Sequence, residues 1–268
     1  MEKKFKFGVI GAGFMAKAIV NGVITSNLLS PSEIIMSDVN SSALCEVEGW
    51  GVNSTTDNFS LAENSEFVLF AVKPQSLSDV LLSLKGAKIS KVITIMAGIK
   101  KDKIACNFNN ISVARCMPNT PCSLGFGAIG LDVSDFSEKS DVDFIKALFS
   151  SLGTVVLLSE NKLNAVTGVS GSSPAYFYLF LKSVIDAGVK VGLTYEESKK
   201  LAVSTMIGSG KMVEKNSDKS IDDLITAVCS KGGTTIEAVK VLKDGKIDEI
   251  VENAVKACVK RSFELENL

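Results

Sequence analysis

The sequence contains no histidine, and this absence excludes much of the usual chemistry of enzymes. Histidine is the commonest general acid and base near neutral pH, and it is the most frequent ligand of transition metals. Any reaction of this chain therefore proceeds without imidazole. The six cysteines show no CxxC spacing, so we predict neither a bound metal nor a disulfide framework, and we interpret most cysteines as small core residues.

The chain also lacks an excess of charge of either sign and long hydrophobic runs. Its 29 basic and 30 acidic residues give a formal net charge of −1, which indicates neither a nucleic-acid partner nor an anionic membrane surface. No apolar run approaches the roughly 18 residues that span a bilayer, and the N-terminus shows no signal-peptide pattern. We therefore expect a cytoplasmic location. The 268 residues, 46% of them hydrophobic, suffice for one large or two medium globular domains.

The strongest local motif is FKFGVIGAGFMAKA at residues 5–18. A short apolar strand leads into a GxGxxA turn that begins at Gly11, and a helix start follows. Gly11 allows a tight turn, Gly13 lets a pyrophosphate approach the backbone at the helix N-terminus, and Ala16 lets the helix pack close to the strand. A second strand over 33–37 comes at the expected distance. The pattern therefore favours a dinucleotide site over a purely structural turn.

Strand and helix patterns alternate from residue 5 to about 160, which predicts an α/β fold with a doubly wound, mostly parallel sheet. After Asn161 the pattern changes to helices alone. Three of them begin with candidate capping boxes, Thr194 with Glu197, Ser220 with Asp223, and Thr234 with Glu237. We therefore predict a dinucleotide-binding domain over 1–163 and an all-helical domain over 164–268.

The first helix of the second domain contains seven consecutive apolar or aromatic residues, Ala175–Leu181. A helix that is apolar all round has to be buried on all sides, which about 100 residues of helix cannot easily achieve alone. We therefore predict that a partner subunit covers this surface. A crowded core within one chain is the alternative.

Candidate cofactor residues follow the predicted strands, at the carboxyl edge where open α/β sheets bind ligands. Asp38 stands where an acidic residue usually binds the ribose of NAD, whereas its neighbour Ser37 suits a 2′-phosphate, so the two leave the cofactor open. Lys73 and Pro74 follow another strand. Ala97-Gly98 follow a third, where small residues let a flat nicotinamide approach the backbone.

Three further loops carry polar groups. In Met117-Pro118-Asn119-Thr120-Pro121, two prolines hold an Asn-Thr pair in place. The Gly/Ser/Thr loops at 168–174 and 230–235 each lead into a helix and expose backbone N–H groups of the kind that hold a small carboxylate. Structural turns with the same composition are the alternative at each loop.

Together these motifs resemble those of the pyrroline-5-carboxylate reductases. The matching blocks run in order over nearly the whole chain: GVIGAGFMAKAI at 8–19, AVKPQ at 71–75, MAGI at 96–99, RCMPNTP at 115–121, AVTGVSGSSPAY at 165–176, DAGVKVGL at 186–193 and GGTTIEA at 232–238. The resemblance implies a Rossmann-like N-terminal domain, a helical dimerisation domain, and a homodimer that assembles further into a ring, a decamer. It also implies reduction of Δ1-pyrroline-5-carboxylate to L-proline, the final step of proline biosynthesis, with NADPH as the cofactor and NADH as the second candidate.

The resemblance also assigns site residues. The cofactor would be held by Gly11, Gly13, Phe14, Met15, Ser37, Asn58, Ala71, Val72, Lys73, Pro74, Ala97 and Gly98. The substrate would be held by Asn119, Ser170, Ser230, Gly232, Gly233, Thr234 and Thr235. Thr235 is the implied catalytic residue, because its hydroxyl would hydrogen-bond the ring nitrogen. A cyclic imine arrives partly protonated and accepts hydride without a strong protein acid, which agrees with the missing histidine.

Several positions depart from the family pattern, among them Met96 and Thr226-Ala227-Val228. Lys231 stands where a proline is usual, and Ser173 stands where a glycine is usual. These departures keep two alternatives open: a related dehydrogenase acting on another cyclic imine or a β-hydroxyacid, and a nucleotide-sensing protein without turnover. The reactive blocks at 115–121 and 232–235 favour the reductase, because a protein that only binds nucleotide does not need both.

Overall fold

The computed structural model describes residues 3–266. Its strands are β1 (Phe5–Ile10), β2 (Ile34–Ser37), β3 (Asn53–Thr55), β4 (Ser65–Phe70), β5 (Lys91–Thr94), β6 (Ser112–Met117), β7 (Gly127–Asp132) and β8 (Gly153–Leu157). Within the described residues they form one sheet of eight strands in the order β3-β2-β1-β4-β5-β6-β7-β8. Neighbouring strands pair in parallel, apart from the antiparallel pair β6 and β7. The predicted mostly parallel, doubly wound sheet is confirmed.

Helices cover both faces of this sheet. They are α1 (Phe14–Thr25), α2 (Ser41–Glu48), α3 (Asn58–Asn64), α4 (Leu77–Ser83), α5 (Lys101–Ala105) and α6 (Lys139–Ser150). Because successive side chains of a strand point to opposite faces, Val9 of β1 packs with α1, α2 and α6, whereas its neighbour Ile10 packs with α3, α4 and α5. Burial on both faces explains the near-continuous apolar runs of β1 and β4.

The remaining helices follow the sheet, as predicted. They are α7 (Leu163–Val166), α8 (Ser173–Lys190), α9 (Tyr195–Lys215), α10 (Ile221–Val228), α11 (Thr234–Asp244) and α12 (Ile247–Glu266), and a π-helical turn spans Thr167–Gly171. Contacts divide the chain into two compact units: the residues up to Ser172 together with those from Cys258 onward, and Ser173–Ala257. The predicted domain limit between 163 and 164 stays a prediction. In the part of the chain that the structure describes, no helix combines the length and apolar character needed to cross a membrane.

The last turns of α12 belong to the first unit and are held there by polar contacts. Arg115 on β6 is buried, and its Nη1 lies 3.1 Å from Glu266 Oε1 and 3.2 Å from Glu160 Oε1. Ser262 Oγ donates to Asn164 Oδ1 at 2.8 Å. Burial raises the pKa of the Glu266 carboxyl, but the hydrogen bond with Asn164 and the Arg115 charge outweigh burial and hold that pKa below its usual value. Glu266 is therefore ionised at neutral pH and anchors the helix end.

Two of the three predicted capping boxes form, Thr194 with Glu197 and Ser220 with Asp223. The third is wrong, because Gly233 and not Thr234 is the N-cap of α11. The backbone N–H of Gly233 donates to Ser230 O at 3.0 Å, and this tight loop brings the chain into the helix one residue earlier. Ile236 then occupies the third helical position, so Glu237 lies one residue too late to complete the box.

The second unit exposes a large apolar surface on its first helix. Phe177, Tyr178, Leu179 and Phe180 of α8 are 57%, 62%, 68% and 46% exposed. A groove of about 600 Å³ lined by α8 and α9 continues this surface. A single chain therefore leaves Ala175–Leu181 largely uncovered, and the alternative of a crowded core within one chain does not hold.

Candidate active site

The turn between β1 and α1 is held in a conformation that demands glycine at its first position. Gly11 has a φ of +103°, and a Cβ at this position would lie 2.8 Å from Ala71 O. The backbone N–H of Gly11 donates to Ser37 O at 2.7 Å, which joins the turn to the end of β2. The turn therefore lies directly against the ends of β2 and β4.

The N-terminus of α1 fits a pyrophosphate. Gly13 is its N-cap, and among the described residues no side chain caps it and no acidic residue lies in its first turn. A Cβ at Gly13 would meet no described atom within 4 Å, so there is open space over the first N–H groups of this 12-residue helix. Free N–H groups, a positive dipole end and open space are what an anionic group requires.

A chain of side-chain hydrogen bonds starts at the buried Ser37, at the end of β2, and continues through Asn58. The Ser37 side chain is fully buried, and its Oγ donates to Asn58 Oδ1 at 2.7 Å. Asn58 Nδ2 in turn donates to Ser83 Oγ on α4 at 3.0 Å. The Ser37 hydroxyl proton is therefore already used, and only the lone pairs of its oxygen are available to a ligand.

Asp38 fixes the glycine-rich turn from the other side. Its Oδ2 accepts the backbone N–H of Ala12 at 2.7 Å, and its Oδ1 accepts the backbone N–H of Asn40 at 2.8 Å. Each carboxylate oxygen keeps a second lone pair, which suits the hydroxyls of a ribose. Ser37 and Asp38 both face the same cavity, so both sequence-based alternatives for the ribose site are present in the structure.

A cavity of about 520 Å³ lies at this edge of the sheet. Seven of the predicted cofactor residues line it: Gly11, Gly13, Ser37, Asn58, Ala71, Val72 and Lys73. Its charged side chains are Asp38, Lys73 and Asp79. The volume is in the range of small-molecule and cofactor sites, and the polar groups converge from three strand ends.

The other five predicted cofactor residues lie outside this lining. Phe14 is 63% exposed on the first turn of α1, Met15 packs against the core, and Pro74 opens a short 3₁₀ turn. Ala97 and Gly98 follow β5. Gly98 has a φ of +71°, and a Cβ there would lie 2.8 Å from Leu265 Cβ, so its small size serves the packing of α12. Contacts of these five residues with the cofactor stay predictions.

Sequence reasoning did not single out several residues that line the cavity, among them Val39, Thr56, Ser76, Asp79, Val80 and Ser83. Ser76, Val80 and Ser83 are spaced by four and three residues, so they share one face of α4 and its preceding turn. That spacing is the signal that could have found them. Val39 is 96% exposed at the cavity mouth, where an apolar side chain suits the flat face of a base.

Asn119 and Ser170 come together at the carboxyl end of β6, although 51 residues separate them. Asn119 Nδ2 donates to Ser170 O at 3.1 Å, and Asn119 Oδ1 accepts the backbone N–H of Ala128 at 3.0 Å. Ser170 Oγ donates to Val166 O at 3.2 Å. Burial raises the pKa of the neighbouring Cys122 thiol, which is therefore neutral at physiological pH.

The other predicted substrate residues form one loop in the second unit. Gly232 has a φ of +75°, which favours glycine, and a Cβ at Gly233 would lie 2.4 Å from Ser230 Oγ. Gly233 caps α11 without a side-chain partner among the described residues. Thr234 and Thr235 occupy the exposed first turn of this 11-residue helix, beside its free N–H groups. The loop therefore offers a carboxylate N–H donors together with two hydroxyls.

Comparison with family models matches both regions. A model for pyrroline-5-carboxylate reductase dimerisation matches residues 160–265. A model for coenzyme F420-dependent NADP oxidoreductases matches residues 6–98, the stretch that carries the glycine-rich turn.

Relatives that match over nearly the whole chain are pyrroline-5-carboxylate reductases. A pyrroline-5-carboxylate reductase of Synechocystis sp. is 37% identical, with 97% of this chain and 98% of the relative covered. Pyrroline-5-carboxylate reductase 2 of Bacillus subtilis is 32% identical over 97% of this chain and 95% of its own. A solved pyrroline-5-carboxylate reductase of Coxiella burnetii superposes with a TM-score of 0.89 at 32% identity, covering 98% and 99% of the two chains. The Plasmodium falciparum enzyme, solved with NADP bound, gives a TM-score of 0.87 at 30% identity, with 99% and 100% covered.

Proposed function

The chain belongs to the pyrroline-5-carboxylate reductase family, and from this premise we propose that it reduces Δ1-pyrroline-5-carboxylate to L-proline with NADPH, the final step of proline biosynthesis. The observation that carries the proposal is the presence of two built sites in one chain: a cavity over the uncapped N-terminus of α1, and the uncapped N-terminus of α11 with its two hydroxyls. NADH is the second candidate cofactor, and the cytoplasmic location stays a prediction from the sequence.

The N-terminal unit would hold the dinucleotide. The N–H groups that follow Gly13 would bind its pyrophosphate, and Ser37, Asp38 and Asn58 would line the adenosine ribose, where a 2′-phosphate requires the Ser37 hydroxyl to turn from Asn58 and donate to it. Lys73 would contribute the positive charge of the cavity. When bound, the cofactor supplies the hydride. The chain's own residues fix where the cofactor lies and exclude water from it.

The loop over 230–235 would hold the substrate by its two ends. The carboxylate accepts hydrogen bonds from the N-terminus of α11, among Ser230, Gly232, Gly233 and Thr234. Thr235 Oγ accepts the N–H of the protonated ring nitrogen and so orients the C=N carbon. Hydride adds to that carbon, and the C=N electron pair becomes the nitrogen lone pair of the secondary amine. No protein acid is required, because the imine takes its proton before it reacts.

A single assay tests this function. Loss of reduced-nicotinamide absorbance is followed with Δ1-pyrroline-5-carboxylate, in parallel with NADPH and NADH, for the wild type, Thr235→Ala and Thr235→Ser. We expect oxidation that depends on substrate, a fall of about 10–100-fold in kcat/KM for Thr235→Ala, and substantial recovery in Thr235→Ser, because serine retains the hydroxyl.

Two results would contradict the proposal. A wild type that binds NADPH but never oxidises it with this substrate points to the sensing protein or to another imine. Equal activity of Thr235→Ala and the wild type removes Thr235 from the reaction while leaving the substrate assignment intact.

We propose further that the functional unit is a homodimer, assembled into a ring of dimers. Self-association belongs to the family model that residues 160–265 match. Support for the dimer comes from the exposed aromatic and aliphatic side chains of α8 and from the groove beside α9. A second copy of the chain presents the same apolar face, so it would cover this one by twofold symmetry.

A further inference from the structure

The side chain of Asn119 joins three segments of the first unit. It is 7% exposed at the N-terminal end of the 3₁₀ turn that follows β6. Its Oδ1 accepts the backbone N–H of Ala128, the second residue of β7, at 3.0 Å, and its Nδ2 donates to Ser170 O at 3.1 Å. Both ends of the amide are therefore engaged with backbone groups, and burial leaves little of the side chain open to a ligand.

The sequence explains why the carbonyl of Ser170 takes its hydrogen bond from Asn119. In a regular helix it would accept the backbone N–H of the residue four positions later. That residue is Pro174, which has no N–H. The chain also forms a π turn here, since the N–H of Ser172 donates to Thr167 O at 2.8 Å. The Asn119 amide supplies the hydrogen bond that Pro174 removes, and a partly buried carbonyl without one is costly.

A second contact from the same segment reaches the π turn, which spans Thr167–Gly171. A Cβ at Gly171 would lie 2.6 Å from Met117 Cε, so the end of β6 packs directly on the turn. On the other side, Cys258 Sγ lies 3.8 Å from Thr167 O and 3.3 Å from Ser172 Oγ. The turn is thus fixed from both sides, and Asn119 provides the directional bond on the β6 side.

We propose that Asn119 is a positioning residue for the reduction, which acts through the backbone carbonyl of Ser170 to hold residues Thr167–Gly171 in the π conformation. In that conformation Ser170 Oγ donates to Val166 O, so the Ser170 oxygen offers its lone pairs to the substrate. The inference rests on the proposed function and replaces a direct substrate contact for Asn119. We expect loss of the Asn119 amide to lower kcat/KM for the substrate and to leave nucleotide binding unchanged, because Asn119 lies outside the nucleotide cavity.

The test exploits the isosteric substitution Asn119→Asp. One carboxyl oxygen still accepts the N–H of Ala128, but the other faces Ser170 O and needs a proton to form the second bond. Burial beside a carbonyl raises the pKa of the introduced carboxyl. The titratable side chain of Cys122 lies close to this position, with its Sγ 3.9 Å from Asn119 Oδ1. Burial raises the pKa of Cys122, so Cys122 stays a neutral thiol.

We expect kcat/KM for Δ1-pyrroline-5-carboxylate to fall about tenfold in Asn119→Asp at neutral pH, mainly through KM, and to recover as the pH is lowered. The variant-to-wild-type ratio is compared at each pH, which cancels the protonation of the substrate itself. The Kd for NADPH, measured by fluorescence, is expected to stay within about twofold of the wild-type value. Asn109→Asp, which makes the same charge change on an exposed loop, is expected to match the wild type at every pH.

Three outcomes would overturn the inference while leaving the proposed function standing. In the first, the wild type is active and Asn119→Asp is equally active. In the second, the variant-to-wild-type ratio of kcat/KM does not change with pH. The third is loss of NADPH binding together with activity, which would make Asn119 a general support of the fold. If Asn119→Asp does not fold, Asn119→Ser is judged by the same comparison of KM with the NADPH Kd, and failure of both variants to fold also counts against positioning. An inactive wild type refutes the proposed function instead.

Discussion

Gly11 and Gly13 stand two residues apart in one turn, yet different physical reasons make them glycines. At Gly11 the backbone itself demands it, because φ is +103° and a Cβ would lie 2.8 Å from Ala71 O. At Gly13 the backbone is extended, with φ of −73°, and a Cβ would meet no described atom within 4 Å. No described atom fills the space beside Gly13, so we expect the ligand and not the fold to need it.

This difference predicts two separable phenotypes. Gly13→Ala should melt close to the wild-type temperature but bind NADPH at least about tenfold more weakly, because the methyl group occupies the space of the pyrophosphate. Gly11→Ala should lose about 1–3 kcal/mol of unfolding free energy as well as binding, because its backbone is strained and crowded. Thermal unfolding without nucleotide and fluorescence titration with NADPH measure the two effects.

Gly86→Ala is the matched control for backbone strain. Gly86 has a φ of +87°, a Cβ there would meet no described atom within 4 Å, and the residue lies outside the nucleotide cavity. The variant should lose stability without losing NADPH affinity. Wild-type affinity in Gly13→Ala would mean that the pyrophosphate does not lie over α1.

At the scale of single residues, the sequence predicts what local chemistry dictates and misses what distant pairing creates. The glycine-rich turn and the residues just after β2 and β4 follow from strand ends, and several of them line the cavity. The bond between Asn119 and Ser170 joins residues 51 positions apart, and no local pattern encodes it. Pro174 removes the helical donor of the Ser170 carbonyl, and only the structure shows that Asn119 supplies another.

Helices α9 and α11 begin in different ways, although their sequences look alike. Thr194 caps α9: the N–H of Glu197 donates to Thr194 Oγ1 at 3.3 Å, and the N–H of Thr194 donates to Glu197 Oε2 at 2.8 Å. Thr234 lies inside α11, behind Gly233. We predict that Thr194→Ala lowers the melting temperature by about 2–4 °C, whereas Thr234→Ala leaves it nearly unchanged. Scanning calorimetry at one protein concentration measures both.

The same comparison has a pH dependence. Hydrogen bonds from the backbone N–H and hydroxyl of Thr194 lower the pKa of Glu197. A lowered folded-state pKa stabilises above the ordinary carboxyl pKa, and this contribution is lost as the pH falls through the lowered value. The deficit of Thr194→Ala should therefore shrink in acid. An equal fall in melting temperature in Thr194→Ala and Thr234→Ala at neutral pH would show that Thr234 also caps its helix.

Whole elements were predictable where one physical signal dominated. The buried apolar strands β1 and β2 were predicted from the sequence, and the predicted limits 33–37 of β2 differ from the observed ones by one residue, because burial on both faces makes such strands stand out. The edge strand β3 is polar and only three residues long, and β7 contains two glycines, so both lack that signal. Neighbouring side chains leave no room for a Cβ at the two β7 glycines. A Cβ at Gly127 would lie 2.3 Å from Cys122 Sγ, and one at Gly130 would lie 2.9 Å from Val166 Cγ1.

At the scale of the whole molecule, the two units divide the work. The α/β unit buries its apolar side chains within one chain and leaves a polar cavity at the carboxyl edge of its sheet. The helical unit keeps much of its apolar surface exposed and carries a polar loop at the start of α11. We expect self-association to stabilise a fold with so much uncovered apolar surface, so that its stability depends on protein concentration.

This dependence leads to a prediction about mass in solution. We expect the wild type to be an even multiple of the 28.4 kDa chain by light scattering, the dimer at low concentration and the decamer if the ring forms. Phe180→Glu places a charge in the apolar groove and should shift the mass toward the single chain, because an unpaired charge is costly to bury. Ser217→Glu makes the same charge change on an exposed loop outside the groove and should keep the wild-type mass. A wild type with the mass of one chain would exclude the dimer, and wild-type mass in Phe180→Glu would place the interface away from α8.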